Sequence, residues 1–485
     1  MTMPHRLAPF LALATLGGCA VGPNFERPAA PTTAAYRPVA EQRPTAPAEP
    51  AADLGGGPQY AWWKAFGSAD MDRLVEQALA HNFSLAAADA TLAAAANETR
   101  AIAGAQLPQI DANARIEQQQ VNLSAFGFEP SPALGLGGNP EFHLYSVGGG
   151  IGYDLDLFGG RRRETEQSLA QTDAERHRAQ AARLAIAGRV VNQVLTIAAI
   201  RKQIDVADAL LADDQRNIDL TQRRQQAGEG TLVEVLNAQA QFTSDRGAIP
   251  QLRQQLDEAR HLLATLVGIA PVDLGATDFE LEAMLLPAAI PVTLPSELVH
   301  KRPDILQAEA DLHAATAAIG VATAKLYPDI TIGATLEQGS PSTGNLLKNA
   351  FRGYDIFAGL SAPIFHGGTL KAERAAAVDR AHAAAATYQQ TVLDAFQQIA
   401  DLLSALQSDA RSVTNQRESV DVAQHSLQLS RRSFETGNSG ILQVLDSERL
   451  YQRATTDLVL ARTRQYLNAA RLYVATAGGW SAPPG

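Results

Sequence analysis

Cysteine is almost missing from this chain, one residue in 485, so no intrachain disulfide framework exists. Aromatic residues make up only 6%. Basic residues are outnumbered 40 to 51, for a formal net charge of -11, which leaves no basic face for a nucleic acid. Past the N-terminus no window reaches the ~18 consecutive apolar residues of a membrane helix. The ten histidines form no H-E-x-x-H pair and no Cys/His cluster, which argues against zinc. Neither a Walker A loop nor a nucleophile-elbow serine is present, and Gly148-Gly149-Gly150 lies inside an alternating stretch, not before a helix. The expectation is no enzyme, no cofactor and no metal.

What is present begins at the single cysteine. Met1 to Arg6 is short and basic, Leu7 to Leu16 is mostly apolar, and Leu16-Gly17-Gly18-Cys19 places small residues before Cys19. The first two parts read as a secretory signal, too short to span as a membrane helix. The ending resembles the bacterial lipobox, which implies cleavage between Gly18 and Cys19 and acylation (palmitate included) of Cys19. Ala20 beside it, rather than Asp, implies sorting to the outer membrane. The plain alternative is a cleaved leader with an incidental cysteine. Residues 23 to 58 are dominated by Pro, Ala and Thr, from Pro23 to Pro58. Such a stretch holds neither a helix nor a central strand and reads as an extended tether.

Four later windows alternate strictly. Ile110, Ala112, Ala114 and Ile116 oppose Asp111, Asn113, Arg115 and Glu117; Tyr145, Val147, Gly149, Ile151, Tyr153, Leu155 and Leu157 share a second face. Ile330, Ile332, Ala334 and Leu336 make a third, and Tyr354 through Ile364 a fourth. Strands of roughly ten residues with one apolar side suit a membrane barrel wall; a half-buried soluble sheet is the competing reading. Four strands close no barrel, since the smallest have about eight, and lipid tolerates no open edges. The barrel reading therefore requires several copies of the chain.

Between the strand pairs run the helices. Arg161 to Ala227 contains no Pro and only Gly188 as a breaker, on the order of 100 Å of helix. Lys371 to Thr436 has neither Pro nor Gly. Apolar residues such as Leu184, Val191, Val194 and Leu195 recur at helical spacing. Each run turns at a glycine cluster, Gly228/Gly230 or Gly437/Gly440, and returns, the first return being interrupted near Gly247 and Pro250. The two halves repeat these signals in one order, with Gly228 to Leu236 answering Gly437 to Leu445, an internal twofold repeat of strand pair and long helical hairpin.

The residues then resemble the outer-membrane efflux protein family, the TolC-like channels, and its NodT/OprM-like lipoprotein branch. The resemblance rests on Trp62-Trp63 with Phe66, Leu74, Ala78-Leu79 and Asn82; on Asp154 to Gly160; and on Arg302-Pro303-Asp304-Ile305 with Ala308-Glu309, Ile319-Gly320, Ala322, Ala324 and Tyr327-Pro328. Gly478-Gly479-Trp480 completes it. It implies an α+β membrane protein, a homotrimer with a twelve-stranded transmembrane barrel, four strands per chain, continued by a periplasmic α-helical barrel. It also implies the partners, a periplasmic adaptor protein and an inner-membrane pump of RND type, in outer membrane lipid. The chain would be their passive exit channel for drugs or other small toxic compounds. A duct of type I protein secretion and a lipid-anchored coiled-coil envelope spacer are the alternatives.

The same resemblance points to a gate past the second turn. Val444-Leu445-Asp446-Ser447-Glu448-Arg449 matches the constricting segment. Asp446 is then the gating acid, repeated around a threefold axis, with Arg449 one helical step on; the bland reading is a solvated i,i+3 pair. Phe434 stands where an aromatic precedes the turn, as Phe rather than Tyr, and Glu234 and Asn237 occupy the corresponding stretch of the first half. Arg161-Arg162-Arg163 reads as a solvated helix start or a contact to anionic head groups. The expected divisions are a signal at 1–18, a tether at 19–60, a first repeat at 61–270 (strands about 108–122 and 143–158, tip 228–236), a linker at 271–295, a second repeat at 296–480 (strands about 328–338 and 354–365, tip 437–449), and a tail at 481–485.

Overall fold

The computed structural model describes residues 20–33, 35–37, 51–55, 61–122, 125, 141–275 and 278–476. Cys19, Gly18 and Gly478 to Trp480 lie outside them. In chain order the main elements are β1 (Ala51–Leu54), α1 (Ala69–His81), α2 (Phe83–Gly104), β2 (Gln109–Gln120), β3 (Glu141–Asp154), α3 (Gly160–Gln226), α4 (Leu232–Arg246), α5 (Ile249–Val267), β4 (Ala289–Val292), α6 (Pro303–Ala324), β5 (Asp329–Ser340), β6 (Arg352–Ser361), α7 (Thr369–Glu435) and α8 (Ile441–Thr476). The chain is mostly helical with a smaller share of sheet. It divides into two compact units, one drawn from Met1–Arg27, Ala93–Asp173 and Ala310–Ala386, the other from Pro28–Leu92, Ala174–Glu309 and Thr387–Gly485.

In the first unit β2, β3, β5 and β6 form one antiparallel sheet in that order. The register sets Ile110 opposite Ile151, Ile151 opposite Ala334, and Ala334 opposite Ile356, so the apolar rows align across all four strands. That shared face points outward: Ile116 is 78% exposed, Ile356 77%, and Ile110, Tyr354 and Leu360 are open as well. Ser146, on the polar row, is buried. Asp111, Asn113 and Asp355 on the other face are exposed as well, so β2 and β6 lack the buried apolar face of a soluble sheet. Neither outer edge, on β2 or β6, is paired within the sheet.

The alternation continues to Leu157 and Ile364 in the sequence, but the strands stop at Asp154 and Ser361. Asp156 takes a left-handed φ of 45°, and its carboxylate accepts the backbone N–H groups of Arg161 (3.0 Å) and Arg162 (3.1 Å). It thereby satisfies orphan donors at the start of α3. Nearby, Phe158 stacks on Tyr327 at 4.6 Å, and the Thr99 hydroxyl donates to the Ser168 carbonyl, joining α2 to α3.

The Arg161–163 run is a partly solvated helix start at Arg161 and Arg162, whose side chains are 39% and 44% exposed. Arg161 pairs with Asp154 and Arg162 with Asp156. Arg163 is buried and holds the start of the described chain, donating to Val21 O (3.2 Å), Gly22 O (3.4 Å), Asn24 Oδ1 (2.7 Å) and Glu166 Oε2 (2.6 Å). His313 stacks on Phe25 at 4.4 Å and reaches Glu166 at 3.0 Å. Burial pushes the Glu166 carboxyl up, but its bonds to Arg163 and His313 outweigh this and hold it below the usual range. A side chain at Gly22 would meet Gly320 Cα at 2.5 Å, so the segment lies directly on α6. Val21, Gly22 and Asn24 are thus seated on the sheet-bearing unit.

The second unit carries the helical core. Trp62, Trp63 and Phe66, in a short 3₁₀ turn, are buried with Leu74, Leu195, Leu263 and Ile399, and Trp62 stacks on Tyr473 at 5.4 Å. The paired tryptophans are therefore packing residues. One window of α3 is apolar enough to cross a membrane by length and composition, and it is mostly buried inside the protein as a core helix. Gly188 is a notch in α3: a Cβ there would meet Val474 Cγ2 of α8 at 2.7 Å. Arg302 chelates Asp304 through Nε (2.9 Å to Oδ1) and Nη2 (2.9 Å to Oδ2) and donates to Gln398 (2.7 Å). The Arg-Pro-Asp motif thus ties the start of α6 to α7.

The stretches read as tether and linker meet in one short sheet. Ala51–Leu54 is a strand, paired in parallel with Ala289–Val292. It occupies the proline-free window between Pro50 and Pro58, and Pro291 is tolerated because each strand of a two-stranded sheet is an edge.

Candidate functional site at the helical turns

The two long helices end alike. Gly228 (φ 80°) and Gly437 (φ 75°) take left-handed conformations. Glu229 N donates to Arg224 O (2.9 Å), and Asn438 N to Ser433 O (2.8 Å), the bond from beyond the glycine that closes such a helix end. Gly230 and Gly440 need no positive φ; Gly230 is pressed by Gln225 N at 3.2 Å, whereas nothing crowds Gly440.

The return helices start differently. Thr231 caps α4 in a reciprocal box: Glu234 N donates to Thr231 Oγ1 (3.3 Å) and Thr231 N to Glu234 Oε2 (2.8 Å). The Glu234 carboxylate is therefore committed to its own helix start. Ile441 opens α8 fully buried, in a small cluster with Leu427, Phe434, Val444 and Leu445. Phe434 is held twice by Arg224, whose Nη1 donates to the Phe434 carbonyl (2.8 Å) while its guanidinium lies 4.6 Å over the ring. A cation over an aromatic face ties α3 to α7, and a phenylalanine serves there without a hydroxyl.

Behind the turns lies a buried polar layer. Glu448 is 3% exposed; it accepts Arg431 Nη2 (2.6 Å) and Nε (3.2 Å) at Oε1 and Asn217 Nδ2 (2.5 Å) at Oε2. Arg431 Nη2 also reaches Asp213 Oδ2 at 2.6 Å. The Ser430 and Ser447 hydroxyls meet at 2.8 Å. Here α3, α7 and α8 are joined by charge-assisted bonds, the kind that costs most when one partner is removed. A cavity of about 250 Å³ adjoins the layer, lined by Lys202, Asp205, Asp213, Glu448 and Tyr451 among others.

Asp446 lies on the other face. It pairs with Arg449, both side chains more than three-fifths exposed, and with no other charged group among the described residues. The structure therefore brings Phe434 into the buried cluster, spends Glu234 on a cap, and leaves Asp446 and Arg449 outward. Sequence reasoning missed Arg224, Asn217, Arg431 and Glu448. One signal was available: Ser447 and Glu448 follow Val444 at the i+3 and i+4 positions of the apolar stripe, where polar residues must find partners.

Residues 74–269 and 294–478 match the family described as outer membrane efflux protein. The chain is similar to the pyoverdine export outer membrane protein OpmQ of Pseudomonas aeruginosa, 31% identical over 86% of this chain and 87% of that protein. It is 30% identical to nodulation protein T of Rhizobium leguminosarum bv. viciae over 99% of this chain and 94% of that one. The fold is similar to that of the outer-membrane channel OprN, with a TM-score of 0.83 at 27% identity, covering 95% of this chain and all of the other. The family is one of channels rather than enzymes. From the match over both halves and along nearly the whole of these relatives, the chain belongs to the outer membrane efflux protein family, an efflux component of the outer membrane.

Proposed function

We propose that three copies of this chain form the passive exit channel of a tripartite efflux system, fed by an RND-type inner-membrane pump through a periplasmic adaptor. The carrying observation is the sheet. Its apolar face is open, which suits lipid, and its two edges are unpaired among the described residues, which lipid does not tolerate. Neighbouring copies satisfy both demands: four strands each from three chains make a twelve-stranded barrel, continued by the helical hairpins as a periplasmic tunnel. The two halves from 61 and from 296 act as the repeats of that assembly, and Cys19 carries the lipid, with Arg163 seating the segment that follows it. Drugs and other small toxic compounds are the cargo class. Antibiotic and toluene efflux proteins are among the relatives, and the pump and adaptor select among substrates. The entrance lies at the turns, where Asp446 and Arg449 face outward, Phe434 braces the wall, and Gly228, Gly230, Gly437 and Gly440 shape the ends. A free coiled-coil spacer gives the open apolar face no role.

The test is the native mass of the mature protein in detergent, followed by bilayer conductance. A trimer that conducts ions supports the reading. A folded monomer leaves four strands unclosed and defeats it.

A further inference from the structure

Asp214 follows Leu210 and Leu211 by four and three residues, on the apolar stripe of α3, and is 1% exposed. Neither of its carboxyl oxygens meets an N–H or O–H donor. What faces it is acid: Asp245 from α4, close enough for the two carboxyls to share a hydrogen bond, and Glu448 from α8. The donors of the cluster point elsewhere. Arg431 of α7 is held by Glu448 and Asp213, Arg216 by Asp213, Asn217 by Glu448 (2.5 Å), and Gln241 Nε2 by Asp245 Oδ2 (2.8 Å). An ionised Asp214 would be a buried charge with no donor between two carboxylates, a state that burial and like charge both oppose. The partner this arrangement leaves room for is a proton.

We infer that Asp214 keeps its proton and donates it to Asp245, which clasps α4 to α3, and that losing this proton lets the two carboxylates push the helices apart. Burial first, then Asp245 and Glu448, lifts the Asp214 carboxyl from 3.8 to about 7. The folded state therefore holds this proton more tightly than the unfolded chain. The stabilisation is complete below about pH 4, declines as the pH rises, and is gone above about pH 7. The clasp closes in acid and opens through neutrality. Any effect on conduction rests on the entrance proposed above, while the clasp itself does not.

The assembled full-length protein in detergent is probed by amide hydrogen exchange across α4 between about pH 5.5 and 8.5, corrected for intrinsic rates. Protection of α4 is expected to fall at least about tenfold in the natural protein and to stay flat in Asp214→Asn, whose amide donates to Asp245 at every pH. In the infrared, a protonated-carboxyl C=O band should vanish near neutrality and be missing from the variant. Equal pH dependence of α4 in the two proteins overturns the inference. So does the loss of every such band by the ordinary carboxylate range in the natural protein, a result that needs no variant.

Discussion

The four-stranded sheet and the helical unit place their large apolar residues differently. On the sheet Ile116, Tyr354 and Ile356 stand open while Ser146 is buried; in the helical unit Phe66, Leu195 and Ile399 are buried. Periodicity works equally in both, period two in one and near 3.6 in the other. It tells which side chains share a face. It does not tell whether that face turns inward. The surrounding medium decides, and in the proposed barrel that medium would be lipid at the sheet and water around the helical core.

The largest effect should come from the helical core. Phe66→Ala removes a fully buried ring packed against Tyr466 and Tyr473 and is expected to cost about 3–5 kcal/mol, read as a lowered denaturant midpoint at unchanged m-value. If Ile356→Ala cost as much, the contrast between the sheet and the helical unit would collapse.

A second prediction sharpens the contrast from the sheet side. Ile356→Lys puts a charge on the open apolar face and should oppose insertion by about 2–4 kcal/mol if that face meets the bilayer midplane. The measurement is the folded fraction in lipid vesicles across a urea series. A neutral result would mean that water, not lipid, covers this sheet.

Much of this was legible in the sequence, for stated physical reasons. Strict alternation marked the windows that are β2, β3, β5 and β6; the absence of Pro, with Gly188 the one interruption in the first run and none in the second, marked the long helices α3 and α7. Gly228 and Gly437 marked the turns because only glycine enters the left-handed region cheaply. What stayed hidden depends on partners distant in the chain. The pairing of Ala51–Leu54 with Ala289–Val292 joins two segments more than 200 residues apart and leaves no local trace. Arg163 looks like the rest of an arginine run until Val21, Gly22 and Asn24 are set beside it. Glu448 and Asp446 are two residues apart, yet one is buried and bonded on both oxygens while the other is open; their places relative to the apolar stripe of α8 separate them, and the family motif alone does not.

The smallest effect on stability, and the most informative about the entrance, should come from Asp446→Ala. An exposed i,i+3 pair contributes under about 1 kcal/mol, so the loss of Arg449's partner should leave the denaturant midpoint nearly unchanged. Glu448→Gln, by contrast, weakens charge-assisted bonds to Arg431 and Asn217 in a buried layer and should lower it measurably. Conductance should rank the two sites the other way. If three copies of Asp446 ring the entrance, Asp446→Ala raises leak through the closed channel and weakens its preference for cations. Unchanged leak and selectivity in an assembled Asp446→Ala channel would remove that residue from the gate and return it to the solvated surface of α8. The constriction would then have to be sought among the groups that brace the turns, Arg224 with Phe434 first.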